Sequence, residues 1–145
     1  MLPACRALGI GVTAYGVLSR GLISGHWQKD SAGAGDFRAS SPRFQGGNVE
    51  QNLALVEGLR AIAAAKDMSV AELAIAWVAA QGADIVPLVG ARRRDRLAEA
   101  LGALDHRLTP ADLAAIEKVV PKNAAAGSRY DAALMAHLDS ERAPE

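Results

Sequence analysis

An α/β fold with a parallel sheet follows from three observations on this 145-residue chain. Residues 10–14 and 85–89 form short apolar runs without polar alternation, as suits parallel strands covered on both faces. The segments between and after them carry apolar residues at helical spacing. Strands separated by helices pair in parallel through a crossover. Two strands neither close a barrel nor complete a doubly wound sheet, so the chain reads as part of a larger α/β fold.

Composition bounds the function. Sixteen basic and sixteen acidic residues balance to a formal charge of zero. That argues against nucleic acid or an anionic membrane surface as the main partner. Half of the residues are hydrophobic, too many for a disordered chain. The single Cys5 forms no intrachain disulfide; it suits a reducing cytoplasm and is expected as a small core residue. No apolar run reaches the roughly 18 residues of a membrane span. The first residues, Met-Leu-Pro-Ala-Cys-Arg, lack a signal-peptide layout. One domain over 1–145 is expected.

In order, residues 1–8 are the last turns of a helix, stopped by Gly9. The first strand follows. Residues 16–47 are rich in Gly and Ser and are expected as a long loop, of the kind that often carries function. Asn48 is expected to cap a helix running to about residue 66, with Leu55, Val56, Leu59, Ile62 and Ala63 on one stripe. Ser69 and Glu72 form a capping box for a second helix. Its Val70, Leu73, Ala74, Trp77 and Val78 repeat at core spacing, and Gly82 ends it. Pro87 is awkward in the second strand because it cannot donate to a ladder. A helix over 93–103 follows. Thr109-Pro110-Ala111-Asp112 reads as N-cap, proline and acidic first turn of a helix to about residue 120. The tail, 129–138, is expected as one more amphipathic helix.

Two stretches carry candidate chemistry. After the first strand, Tyr15 can cover a flat ligand, and Gly16 to Gly21 offer N–H groups, a hydroxyl and a guanidinium to an anion. After the second, Gly90-Ala91-Arg92-Arg93-Arg94-Asp95-Arg96 opens a helix with four arginines, suited to a phosphate. In α/β folds ligands gather at this carboxyl end of the strands. His26, His106 and His137 lack metal-ligand spacing and are expected to be structural or on the surface. His26, Trp27 and Asp36 approach substrate on weaker grounds.

The run Val12-Thr13-Ala14-Tyr15-Gly16-Val17-Leu18-Ser19-Arg20-Gly21-Leu22-Ile23-Ser24-Gly25 resembles the seventh strand and following loop of the NADP-dependent aldo-keto reductases. The resemblance implies that Tyr15 stacks on the nicotinamide of NADP(H), while Gly16, Leu18, Ser19, Arg20 and Gly21 wrap the pyrophosphate. Gly90 and the residues after it resemble the loop and helix after that family's eighth strand. There Arg92 and Arg96 fall on contacts to the adenosine 2′-phosphate, and Glu99 on the contact to the adenine amino group. The usual Glu-Asn pair is Glu99-Ala100 here, so one adenine contact is missing. Asp36-Phe37-Arg38, Pro42-Arg43-Phe44, Asn52-Leu53, the helix over 71–81 and the tail Gly127-Ser128-Arg129-Tyr130 extend the resemblance to nearly the whole chain.

The resemblance implies the C-terminal portion of a (β/α)8 TIM barrel, two parallel strands plus helices, incomplete as a barrel. Such barrels take about 250 residues and eight strands. The family's Tyr, Lys, Asp and His tetrad comes from the first half of that barrel, and this chain matches none of its motifs. The implied function is the cofactor-binding half of an NADPH-dependent reductase of aldehydes and ketones, inactive in isolation. A small carbonyl compound is the substrate once an N-terminal half completes the barrel. The alternatives are a non-catalytic NADPH-binding or docking module and a truncated gene product. Exposed strand edges are expected to make the chain weakly stable or self-associating.

Overall fold

The computed structural model describes residues 1–27 and 35–138. Helix α1 (Leu2–Ala7) leads to strand β1 (Val12–Ala14). Helices α2 (Gly46–Ala64) and α3 (Val70–Ala79) precede strand β2 (Ile85–Pro87). Helices α4 (Arg94–Gly102), α5 (Pro110–Val119) and α6 (Ala132–Met135) complete the order. β1 and β2 pair in parallel, with Val12 opposite Ile85 and Ala14 opposite Pro87. The two-strand, parallel α/β expectation holds.

The core lies between the helices on one side of this small sheet. α2 contributes Val56, Leu59 and Ala63, α3 contributes Val70, Leu73 and Ala76, and α5 contributes Ile116. Each large aliphatic side chain buried there stabilises the fold by about 1.5–3 kcal/mol. α2 and α5 approach closely at Gly58, where a Cβ would stand 2.6 Å from the Val119 Cγ1. Both capping boxes form: Ser69 with Glu72 on α3, and Thr109 with Asp112 on α5. Among the described residues no helix is long and apolar enough to cross a membrane.

Several expectations need correction. The strands are shorter than the apolar runs and are not covered on both faces. Ile10, Val86 and Leu88 are at least half exposed, because α3 packs on β2 and each strand has one sheet neighbour among the described residues. Pro87 is tolerated because the ladder runs through its neighbours, with Leu88 N–H donating to Ala14 O. Asn48 is not an N-cap. α2 starts at Gly46 with Gln45 before it, and the Asn48 amide donates to Pro42 O. The loop over 16–47 contains 3₁₀ turns at Ser19–Ser24, Phe37–Ser40 and Pro42–Phe44, and it buries Leu22; residues 28–34 of it lie outside the described residues. The tail helix shrinks to α6, capped by Asp131 on Leu134 N–H. Cys5 is half-buried on α1, outside the core cluster.

One buried amide joins distant parts. Asn52, 3% exposed, donates through Nδ2 to Arg43 O at 2.9 Å and Ala126 O at 3.0 Å, and Oδ1 accepts from Ala126 N–H at 2.8 Å. Asn52→Ala leaves three backbone groups unpaired. The expected loss is about 2–3 kcal/mol, measured as a lower denaturant midpoint at unchanged slope. Asp112 accepts from Thr109 N–H and pairs with Lys66 Nζ at 2.9 Å. These partners, the Thr109 N–H first, lower its carboxyl from 3.8 to about 2. A depressed carboxyl stabilises above its unfolded value and loses that contribution as pH falls through its folded value. Asp112→Asn should therefore lower the melting temperature at neutral pH and flatten its fall between about pH 4 and 2. An unchanged acid limb would refute the assignment.

Candidate functional site

Parallel pairing sends both strands out of the sheet at the same edge. The loop after β1 and the loop after β2 therefore leave side by side. Between and around them lie three adjoining depressions. The central one, about 400 Å³, is lined by Gly16, Leu18, Arg20, Gly21, Gly90, Arg96 and Glu99, with Ile75 of α3 in its wall. The second, about 570 Å³, shares Gly21, His26, Gly90 and Arg96 and adds Arg38, Arg92 and Arg93. The third, about 240 Å³, shares Gly16 and Arg20 and adds Tyr15, Ser19, Arg43, Arg129 and Tyr130. All ten residues singled out in the sequence line one or more of the three.

The first loop is shaped by left-handed backbone. Ser19, Arg20 and Gly21 have φ of 48°, 57° and 93°. A non-glycine residue there costs about 1–2 kcal/mol, so Arg20 needs compensating contacts. Its Nη1 donates to Ser41 Oγ and Arg129 O, both at 3.1 Å. Its guanidinium lies 4.7 Å from the Phe37 ring centroid and 4.8 Å from that of Tyr130. Ser24 Oγ donates to Gly21 O at 2.6 Å and closes the turn. Tyr15 is 71% exposed, with its hydroxyl 3.4 Å from that of Tyr130. That hydrogen bond raises the Tyr15 hydroxyl pKa and lowers that of Tyr130, which the Arg20 and Arg129 charges lower further.

The second loop holds its charges differently. Arg93 Nε pairs with Asp95 at 2.9 Å, and its hydrogen bond draws the Asp95 carboxyl below the usual range. Arg96 Nη1 donates to Glu99 Oε2 at 3.1 Å. His26 Nε2 contacts both Arg96 and Glu99, so the two loops meet across the cleft. Burial pushes the Glu99 carboxyl up, but hydrogen bonds from Ser69, His26 and Arg96 outweigh it and leave the carboxyl lowered. Arg92 is exposed and makes no hydrogen bond or ion pair among the described residues. At Gly90 a Cβ would meet nothing within 4 Å, so the backbone there is open to a ligand.

An anion of phosphate type fits this surface: Arg92 is open, Arg96 can exchange Glu99 for it, and Gly90 admits close approach. Asp36 does not face the site as a reacting group; it pairs with Arg38 and caps the turn at Phe37–Ser40. Arg43, Arg129 and Tyr130 line the third depression and are not among the sequence candidates. The signal for them lies in the runs Pro42 to Phe44 and Gly127 to Tyr130, both of which carry the resemblance. Among the described residues no group of three His, Cys, Asp or Glu can hold a metal.

The model of the aldo/keto reductase family matches residues 1–121. A probable aldo-keto reductase 1 of Glycine max is 35% identical over 130 residues, covering 90% of this chain and 38% of that protein. A glycerol dehydrogenase structure from Gluconobacter oxydans aligns with a TM-score of 0.76 at 30% identity, covering 83% of this chain and 37% of that one. The chain thus spans under two fifths of the length of these relatives. With two thirds or more of its own residues matched in each comparison, the chain belongs to the aldo-keto reductase family.

Proposed function

We propose that this chain supplies the NADP(H)-gripping part of an oxidoreductase that interconverts aldehydes or ketones and alcohols. Its two strand units are the seventh and eighth of a (β/α)8 barrel, and the acid–base tetrad belongs to the remainder. The observation that supports this reading most is convergence. Ten residues from two stretches far apart in sequence, the loop after β1 and the loop after β2 with helix α4, line adjoining depressions at one edge of the sheet. Barrels of this class hold phosphate in the loops after their last two strands.

In this reading, bound NADPH supplies the hydride for the carbonyl carbon. Tyr15 provides the flat, exposed ring against which the nicotinamide lies. Gly16 to Gly21 present backbone and hydroxyl donors to the pyrophosphate. Arg92 and Arg96 clamp the 2′-phosphate, with Arg96 leaving Glu99 as it does so. Glu99 is then available to the adenine amino group. A second reading is an NADPH-binding module without turnover. We further propose that the open edges of β1 and β2, with exposed Ile10, Val86 and Leu88, drive association with another chain or copy.

Arg96→Ala should weaken NADPH about 10–100-fold and NADH no more than about threefold, since charge-assisted bonds contribute about 1.5–3 kcal/mol. Fluorescence titration of both cofactors reads this, and an equal loss for both would sink the 2′-phosphate assignment. Sedimentation velocity should show concentration-dependent oligomers. A purely monomeric chain with a cooperative melt at ordinary temperature would refute the edge proposal.

A further inference from the structure

One histidine ties the two loops together. His26 Nε2 lies 3.2 and 3.3 Å from the Glu99 carboxylate oxygens and also contacts Arg96 Nη1. A carboxylate only accepts, so the imidazole nitrogen that faces it is a donor. His26 belongs to the loop after β1, and Glu99 stands on α4. The loop itself holds His26 in place: its N–H donates to Ser24 Oγ at 3.2 Å, and that hydroxyl donates to Gly21 O. His26 and Arg96 line both the central depression and the arginine-rich one beside it, and Glu99 lines the central one. The His26 side chain is 43% exposed and that of Glu99 17%, so the pair stands open to the cleft. Ala100, next to Glu99, lines the same depression and brings no donor.

A carboxylate beside an N–H is an acceptor beside a donor. Adenine carries the complement on one edge, an amino group that donates and the ring nitrogen N7 that accepts. A 6-oxo purine carries two acceptors there instead. We propose that His26 is the second adenine contact, donating from Nε2 to a ring nitrogen while Glu99 accepts from the amino group. The inference rests on the NADP(H) reading, which brings the adenine amino group to Glu99. It adds a binding residue to that reading, and a rule of base selection. Without ligand, Arg96 completes a trio with His26 and Glu99. The 2′-phosphate draws Arg96 away, and the base edge takes the two groups that remain.

Adenosine 2′,5′-bisphosphate is the probe, because it carries the base and the 2′-phosphate without the nicotinamide. Its inosine counterpart carries a 6-oxo group in place of the amino group. Calorimetric titration of the full chain should find the adenosine ligand bound at least about tenfold more tightly. His26→Ala should weaken the adenosine ligand about five- to twentyfold and the inosine ligand less than about twofold. His26→Phe keeps a flat ring and loses the donor, so it should match His26→Ala. His26→Gln keeps a donor and should stay within about threefold of the unsubstituted protein. If circular dichroism shows His26→Ala unfolded, the Phe and Gln variants carry the test. Equal losses for both ligands would reduce His26 to a structural role and overturn the proposal. Unchanged adenosine binding in His26→Ala, full binding in His26→Phe, or no preference for adenosine over inosine would also overturn it. Arg96→Ala, which faces the phosphate common to both ligands, should weaken both alike. That loss without a His26 effect would leave the NADP(H) reading standing and sink the His26 contact alone. A His26 effect without that loss would uphold the base contact and sink the phosphate clamp, and no binding of either ligand would overturn both.

Discussion

The parallel pairing of β1 with β2 sets everything downstream. Val12 N–H donates to Asp84 O at one end of the ladder, and Leu88 N–H donates to Ala14 O at the other. With the register fixed as Val12 to Ile85, both strands discharge their loops at one edge. An antiparallel pairing would send them to opposite ends and split the ten candidate residues into two groups. α3 supports the arrangement from below: Ala71 and Ile75 of its buried face floor the central depression.

The sequence disclosed what is local. Ser69 with Glu72, and Thr109 with Asp112, sit three residues apart, so their capping boxes are visible without a fold. The apolar spacing of α2 and α3 is equally local, and it locates most of the core. Boundaries set by tertiary contacts were not legible. Asn48 has the chemistry of a cap, but Pro42 O claims its amide. The turns within 16–47 have a three-residue hydrogen-bond pattern too short to leave a periodic signal. Asn52 joins α2 to Ala126, a pairing that no window along the chain contains. Strand coverage is not legible for a related reason: an apolar run reports that a strand can be covered, and here the described residues cover one face.

The two halves of the site manage positive charge in opposite ways. Around α4 two of the arginines are already matched, Arg93 by Asp95 and Arg96 by Glu99, while Arg92 stays open. An anion arriving there exchanges one partner for another, so selectivity comes from geometry more than from net charge. Around Tyr15, Arg20 meets a hydroxyl, a carbonyl and two aromatic faces. That guanidinium is oriented but not neutralised, and an anion arriving there has no carboxylate to displace from it.

The Asn52 clasp has a consequence beyond stability. It fixes Ala126, and the tail that follows carries Arg129 and Tyr130 into the wall beside Tyr15. Detachment of the tail and occupation of that wall are therefore competing equilibria. By thermodynamic reciprocity, a molecule that settled only against the docked tail would also tighten the amide on α2. A helix-buried asparagine distant from that wall thus decides whether Arg129 and Tyr130 stand in it.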